Sequence, residues 1–127
     1  MDENKFSFEE LEVWKKSVTF AINVIELIDK LNTKRKHFRL IEQLEAAATS
    51  IAMNIAEGKG RYSKKEFIQF LYYARGSLFE TITLLIILNQ MNWIDNQVFQ
   101  NLKTDADEIG KMISGLISSI KKSSTQT

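Results

Sequence analysis

The sequence predicts an all-α fold, an antiparallel up-down-up-down four-helix bundle. Apolar residues recur at spacings of three and four in four long stretches, which is the spacing of residues on one face of an α-helix. Proline is absent and there are only 5 glycines, so little interrupts long helices. Short polar segments join the stretches, and short connections place consecutive helices side by side and antiparallel.

The composition fits a single domain of 127 residues, with about residues 1–6 and 122–127 expected to be flexible. The absence of cysteine excludes disulfides and thiolate metal sites. Residues 1–4 lack the apolar segment of a signal peptide, and the most apolar run, residues 84–88, is too short to cross a bilayer. We therefore expect a cytoplasmic protein without a membrane partner.

The first predicted helix covers residues 7–31. Ser7 is the expected N-cap, and Glu9 and Glu10 place negative charge at the positive end of the helix dipole. The expected core face consists of Leu11, Trp14, Val18, Ala21, Ile25 and Ile28. It is widened by Ile22, Val24, Leu27 and Leu31.

The second predicted helix covers residues 38–57 and follows a basic connection, residues 32–39. Its expected core face consists of Ile41, Leu44, Ala48, Ile51 and Ile55. The remaining residues of its middle turns are small, which lets another backbone come close and predicts a tightly packed inner helix. Gly58 is the expected residue just past the helix end, where a positive φ favours glycine.

The third predicted helix, residues 64–92, begins at a capping box in which Ser63 and Glu66 satisfy each other's backbone N–H groups. A continuous heptad seam follows: Phe67, Leu71, Ala74, Leu78, Thr81, Leu85 and Leu88. A second apolar stripe lies beside it: Ile68, Tyr72, Phe79, Ile82 and Ile86. Its partner is either a neighbouring helix of the bundle or another subunit, and we treat the stripe as a candidate oligomer interface.

The fourth predicted helix covers residues 96–121, with Asp95 as its N-cap. Its expected core face consists of Val98, Leu102, Ala106, Ile109, Ile113, Leu116 and Ile120. Residues 123–127 have nothing to bury and are expected to fray.

The sequence offers few of the residues that catalysis needs. His37 is the only histidine and lies in a basic loop, where we expect a solvent-exposed residue without a catalytic role. A di-iron bundle needs two Glu-x-x-His motifs, and one histidine cannot supply them. The glycines around Lys59 do not have the spacing of a phosphate-binding loop. We therefore predict a protein that is not an enzyme and uses no metal or cofactor.

Two clusters of cations are the sequence feature that most clearly indicates a function. The candidate nucleic-acid-binding residues are Lys34, Arg35, Lys36 and Arg39 in one cluster, and Lys59, Arg61, Lys64 and Lys65 with Arg75 in the other. The bundle topology places the clusters at opposite ends and returns Lys121 and Lys122 to the second. Lysine and arginine on one surface displace counterions from RNA or DNA. The alternatives are basic loops that only keep a bundle of net charge +1 soluble, or a scaffold that binds another protein.

Three stretches resemble motifs of a known bacterial family. They are residues 8–16 (FEELEVWKK), residues 54–72 (NIAEGKGRYSKKEFIQFLY) and residues 74–80 (ARGSLFE). They are similar to the 23S rRNA intervening-sequence proteins, also labelled S23 ribosomal protein. The resemblance implies an antiparallel four-helix bundle, a ring-like homopentamer, no enzymatic activity, and RNA or DNA binding. A related group, the accessory variability determinant proteins of diversity-generating retroelements, binds nucleic acid and a reverse transcriptase.

The sequence departs from the family pattern on the second helix. Glu45, Ala46 and Ala47 stand where the family commonly has Arg-Arg-Ala-Ala, and Ala52 stands where it commonly has proline. The first difference removes cations from this helix, and the second removes an interruption of it.

Overall fold

The computed structural model describes residues 4–31 and 36–125, and they form the predicted all-α bundle. Its helices are α1 (Glu12–Lys30), α2 (Phe38–Lys59), α3 (Lys64–Gln90) and α4 (Asn96–Thr125), preceded by a 3₁₀ turn, Ser7–Glu10. Consecutive α-helices pack against each other, and α4 closes the bundle against α1. Within the described residues no Cα atom of a helix lies within 8 Å of a Cα atom of the diagonally opposite helix, which is the arrangement of an antiparallel four-helix bundle.

All four helices contribute to one continuous core. The residues at its centre are fully buried: Val24, Ala48, Ile51, Ile55, Leu71, Leu85, Ile109 and Ile113. Every buried polar side chain in the described part of the chain has a hydrogen-bond partner. Formation of the core therefore leaves no buried polar group without a hydrogen bond in this part of the chain, so no such group destabilises the fold.

The predicted start of the first helix at Ser7 is wrong. Leu11 has extended backbone (φ −74°, ψ 123°) and separates the 3₁₀ turn from α1. The Glu9 carboxylate accepts a hydrogen bond from the Phe6 N–H (2.7 Å), so that turn is capped on its own. The Phe8 ring packs on Trp14 at 5.2 Å, which folds the turn against the helix instead of extending the helix into it.

The predicted core face of α1 is confirmed at Ala21 and Val24, and elsewhere the buried residues lie about one position before the predicted ones. The residues that are buried are Val13, Ser17, Phe20, Ala21 and Val24. The other apolar residues of the predicted face are half-buried, except Ile22, which is exposed. Ser17 is fully buried because its hydroxyl donates to the Val13 carbonyl (2.7 Å), which satisfies the polar group within the helix.

The prediction that Gly58 ends α2 with a positive φ is wrong. Gly58 lies inside the helix, and no glycine has positive φ in the described residues. A Cβ atom on Gly58 would come within 2.6 Å of the Phe70 Cβ and 3.0 Å of the Phe67 ring. Glycine is required here because α2 and α3 approach closely, and their interface is the most extensive in the bundle.

The seam predicted on α3 is confirmed, since six of its seven residues are buried and Phe67 is half-buried. The Glu66 N–H donates to the Ser63 hydroxyl oxygen (3.1 Å), as predicted. The Glu66 carboxylate, however, accepts from that hydroxyl (3.1 Å) and not from the Ser63 N–H. By length and composition α3 could also cross a membrane, although residues 84–88 alone were predicted to be too short for this. In this structure the buried face of α3 packs in the bundle core.

The fourth helix continues to Thr125, past its predicted end. The Asp95 carboxylate accepts from the Gln97 N–H (3.4 Å), in keeping with its predicted capping role. Val98 is exposed and Phe99 is buried in its place, a correction of one position at the start of the core face. Ile117 is buried, whereas the predicted Leu116 and Ile120 are half-buried.

Two contacts fix the ends of the bundle. At one end the His37 ring packs on Trp93 at 4.7 Å, so the α1–α2 connection lies beside the α3–α4 turn. At the other end Lys64 Nζ donates to Ser123 Oγ (2.7 Å), so the α2–α3 turn lies beside the end of α4. The predicted return of Lys121 and Lys122 to the α2–α3 end is thereby confirmed.

Candidate nucleic-acid interface

Seven cations gather where the α2–α3 turn, the first turns of α3 and the last turns of α4 meet. We call this surface the basic end. It consists of Lys59, Arg61, Lys64, Lys65, Arg75, Lys121 and Lys122. Five of these are predicted nucleic-acid-binding residues; the two C-terminal lysines, placed at this end by topology, are additions to them.

The α2–α3 turn is held in place by its own backbone. The Gly60 N–H donates to the Ala56 carbonyl (3.2 Å), and the Arg61 N–H donates to the Gly58 carbonyl (3.1 Å). Ser63 then caps α3. With both sides of the turn bonded, the cations project from a fixed backbone.

Aromatic rings beneath the turn support two of its cations. The Arg61 guanidinium lies 4.7 Å from the centre of the Phe70 ring, and Lys59 Nζ lies 5.8 Å from that of Phe67. Arg61 also pairs with Glu57 at 3.5 Å. Phe70 in turn meets Tyr73 edge to face at 5.5 Å. These contacts hold the charged ends of Arg61 and Lys59 beside the rings, and both residues remain exposed at the surface.

A cationic pocket of about 350 Å³ continues the basic end along the α3–α4 seam. It is lined by Tyr72, Arg75, Ser114, Ile117, Ser118, Lys121 and Lys122, with no carboxylate among them. Lys121 Nζ donates to the Tyr72 hydroxyl oxygen (3.0 Å), and the Arg75 guanidinium lies 4.9 Å from the centre of the same ring. The hydrogen bond and the positive charge of Lys121 lower the pKa of Tyr72, because both favour the phenolate.

Most charge at the basic end is not neutralised by the protein. Within the described residues, Lys59, Lys64, Lys65, Arg75 and Lys121 form no ion pair with a carboxylate. Elsewhere on the surface, by contrast, Lys16 pairs with Glu108 at 2.8 Å, and this contact raises the pKa of Lys16. A concentration of unpaired cations favours an anionic ligand.

The other predicted cluster is only partly described. Lys34 and Arg35 lie outside the described residues. Lys36 and Arg39 are exposed at the opposite end of the bundle, so the structure does not bring the two clusters together. Any single ligand that used both would have to extend along the whole bundle.

The stripe predicted as an oligomer interface is mostly covered by the bundle itself. Ile68, Tyr72, Ile82 and Ile86 are half-buried against the core. Phe79 remains 61% exposed and lies in a groove of about 510 Å³ between α3 and α4. Lys103 and Lys111 stand on the α4 side of this groove. The groove is the principal apolar surface that this stripe leaves open.

Clusters that would suggest a metal centre are missing from the described part of the chain, where no three His, Asp or Glu side chains are grouped as possible ligands. The cationic surface is thus the feature with the clearest chemistry.

Comparisons with known proteins identify similar chains. The sequence profile of a family described as 23S rRNA-intervening sequence protein matches residues 9–115. A crystal structure of a protein with unknown function, from the S23 ribosomal protein family of Bacteroides thetaiotaomicron, has a TM-score of 0.78 at 29% sequence identity. The similarity covers 84% of this chain and 95% of that one. Among curated proteins no match is found.

Proposed function

The chain belongs to the family of 23S rRNA-intervening sequence proteins, and from that premise we propose that it is a non-enzymatic accessory protein that binds RNA or DNA through its basic end. The observation that carries the proposal is the set of five cations there without a carboxylate partner. Each can neutralise a phosphate and release its condensed counterion.

The geometry of the basic end suits a phosphate backbone. Lys64 and Lys65 occupy the first turn of α3, where the N-terminal end of the helix dipole adds to their positive potential. The pocket around Arg75 and Lys121 offers two serine hydroxyls beside the cations, which can donate to phosphate oxygens. These contacts are made to phosphate groups and do not distinguish one base from another, so we expect binding with little sequence preference.

The test is a pair of matched charge reversals. We expect Lys64→Glu with Lys65→Glu to weaken binding of a labelled mixed-sequence RNA by about tenfold or more at low salt, because two phosphate contacts become repulsive. The control, Lys36→Glu with Arg39→Glu, makes the same change of charge near the start of α2. Both pairs put acidic residues close to a helix N-terminus, which favours the fold. Fluorescence anisotropy measures the affinities, and equal losses in the two variants would assign binding to net charge and not to the basic end.

We also propose that the protein acts as a homo-oligomer. One protomer presents few phosphate contacts, and several protomers in one assembly would pool theirs. The exposed Phe79 and its groove are the surface through which a second copy would pack. The resemblance implies five copies.

A protein-binding scaffold is the second candidate, favoured by the same groove. An exposed phenylalanine beside apolar walls is typical of a site for an apolar partner segment. This function predicts capture of a protein partner that is insensitive to salt and is lost in Phe79→Asp. Nucleic-acid binding predicts instead a steep dependence on salt, and this dependence separates the two functions.

A further inference from the structure

The side chain of Tyr62 is fully exposed, with a relative exposure of 103%. Its ring forms no aromatic contact, cation–π contact or hydrogen bond with the described residues. The other two tyrosines differ, since Tyr72 accepts from Lys121 and Tyr73 packs against Phe70. Tyr62 therefore contributes no packing to the fold that the structure describes.

The backbone around Tyr62 is nevertheless fixed. The N–H of Arg61 donates to the Gly58 carbonyl, and the Arg61 side chain is held between Glu57 and Phe70. On the other side Ser63 caps α3. A residue on a restrained turn loses little backbone freedom when a ligand covers its side chain.

The charges beside Tyr62 indicate what kind of ligand would cover it. Lys59 precedes it by three residues, and Lys64 and Lys65 follow it by two and three. None of the three lysines has a carboxylate partner among the described residues. An aromatic face with cations on both sides in the chain suits a nucleotide within a strand, whose base is attached to a sugar that two phosphates flank.

We infer that Tyr62 is a base-stacking residue and that the basic end binds single-stranded nucleic acid in preference to duplex, an inference that rests on the proposed function. In a single strand the bases can turn outward and stack on an aromatic side chain. In a duplex their faces are covered by neighbouring base pairs, and Tyr62 would meet only the sugar–phosphate backbone. The lysines attract both forms, so the tyrosine supplies the difference between them.

The experiment compares two probes, a labelled mixed-sequence RNA of about 12 nucleotides and the same strand annealed to its complement. We expect Tyr62→Ala to weaken single-strand binding by about fivefold or more and to leave duplex binding unchanged. Tyr62→Phe keeps the ring and should retain the single-strand affinity. Because the side chain is fully exposed, both variants should keep the helical content of the parent protein.

The charge-reversal pair Lys64→Glu with Lys65→Glu separates the two proposals. Loss of binding in that pair combined with unchanged single-strand affinity in Tyr62→Ala would overturn the stacking role and leave nucleic-acid binding in place. Equal losses for both probes in Tyr62→Ala would also overturn it. If the unmodified protein binds neither probe at low salt, the proposed function fails and the inference fails with it.

Discussion

At the scale of single residues, Tyr72 and Lys121 show how the basic end modifies a side chain. Tyr72 lies on α3 and Lys121 on α4, and their hydrogen bond of 3.0 Å joins the two helices. Arg75 adds further positive charge over the ring at 4.9 Å. The pKa of Tyr72 is lowered chiefly by the hydrogen bond from Lys121, then by its charge.

We predict that Lys121→Met raises the pKa of Tyr72 toward its ordinary value of about 10. The measurement is a spectrophotometric titration of the phenolate absorbance, with Tyr72→Phe identifying the component that belongs to this residue. A folded-state pKa below the unfolded value stabilises the fold as pH rises through it, and this contribution is complete above the unfolded pKa of about 10. An unchanged titration curve in Lys121→Met would contradict the assigned cause.

At the scale of elements, the contact between α2 and α3 depends on Gly58. The residue is buried in a helical conformation, and the atoms that a side chain at this position would meet first are the Phe70 Cβ and the Phe67 ring. The Phe70 Cβ is bonded directly to the α3 backbone, so it cannot move unless the helix moves. Gly58 thus sets the distance between the two helices beside the basic end.

We predict that Gly58→Ala lowers the free energy of unfolding by about 1–3 kcal/mol, because overpacking outweighs the better helix propensity of alanine. Gly76→Ala is the control: it lies in the middle of α3, and a Cβ there would meet nothing within 4 Å. It should raise the free energy of unfolding by about 1 kcal/mol. Urea denaturation followed by circular dichroism measures both values, and a stabilised Gly58→Ala would show that the helices can separate at no cost.

Periodicity predicts the elements well where the buried face is wholly apolar. On α3 the seam from Leu71 to Leu88 follows directly from the spacing. On α1 it gives Ala21 and Val24 correctly. It fails elsewhere on this helix, because Ser17 is buried through a hydrogen bond to its own helix while the apolar Ile22 is exposed. A pattern of apolar and polar residues cannot show which polar groups are satisfied locally.

The candidate site is predictable only in part for a related reason. Charge clusters in the sequence give Lys59 to Lys65, but Lys121 and Lys122 join them only through the bundle topology. The full exposure of the Tyr62 ring could not be predicted from the sequence, because exposure depends on how the turn is folded. The one signal that the sequence does carry for Tyr62 is its position among lysines.

At the scale of the whole molecule, the number of cations at the basic end gives a test of whether several copies of the chain bind nucleic acid together. Its seven cations set an upper limit to the phosphates that one basic end can neutralise. For single-stranded nucleic acid that limit corresponds to a slope of about −5 in a plot of log affinity against log salt concentration. An assembly that pools several basic ends can exceed it, whereas one basic end by itself cannot.

We therefore predict that light scattering gives a mass that is a multiple of the 14.7 kDa chain and that the salt slope for a long single strand is steeper than about −5. Phe79→Asp, which places a charge in the α3–α4 groove, should reduce both the mass and the slope while the helical content stays the same. Phe79→Leu keeps the groove apolar and is its control. A mass of one chain in the parent protein would exclude the pooled mechanism. A stable oligomer that Phe79→Asp leaves intact would place the interface on another surface, because the groove would then not hold the copies together.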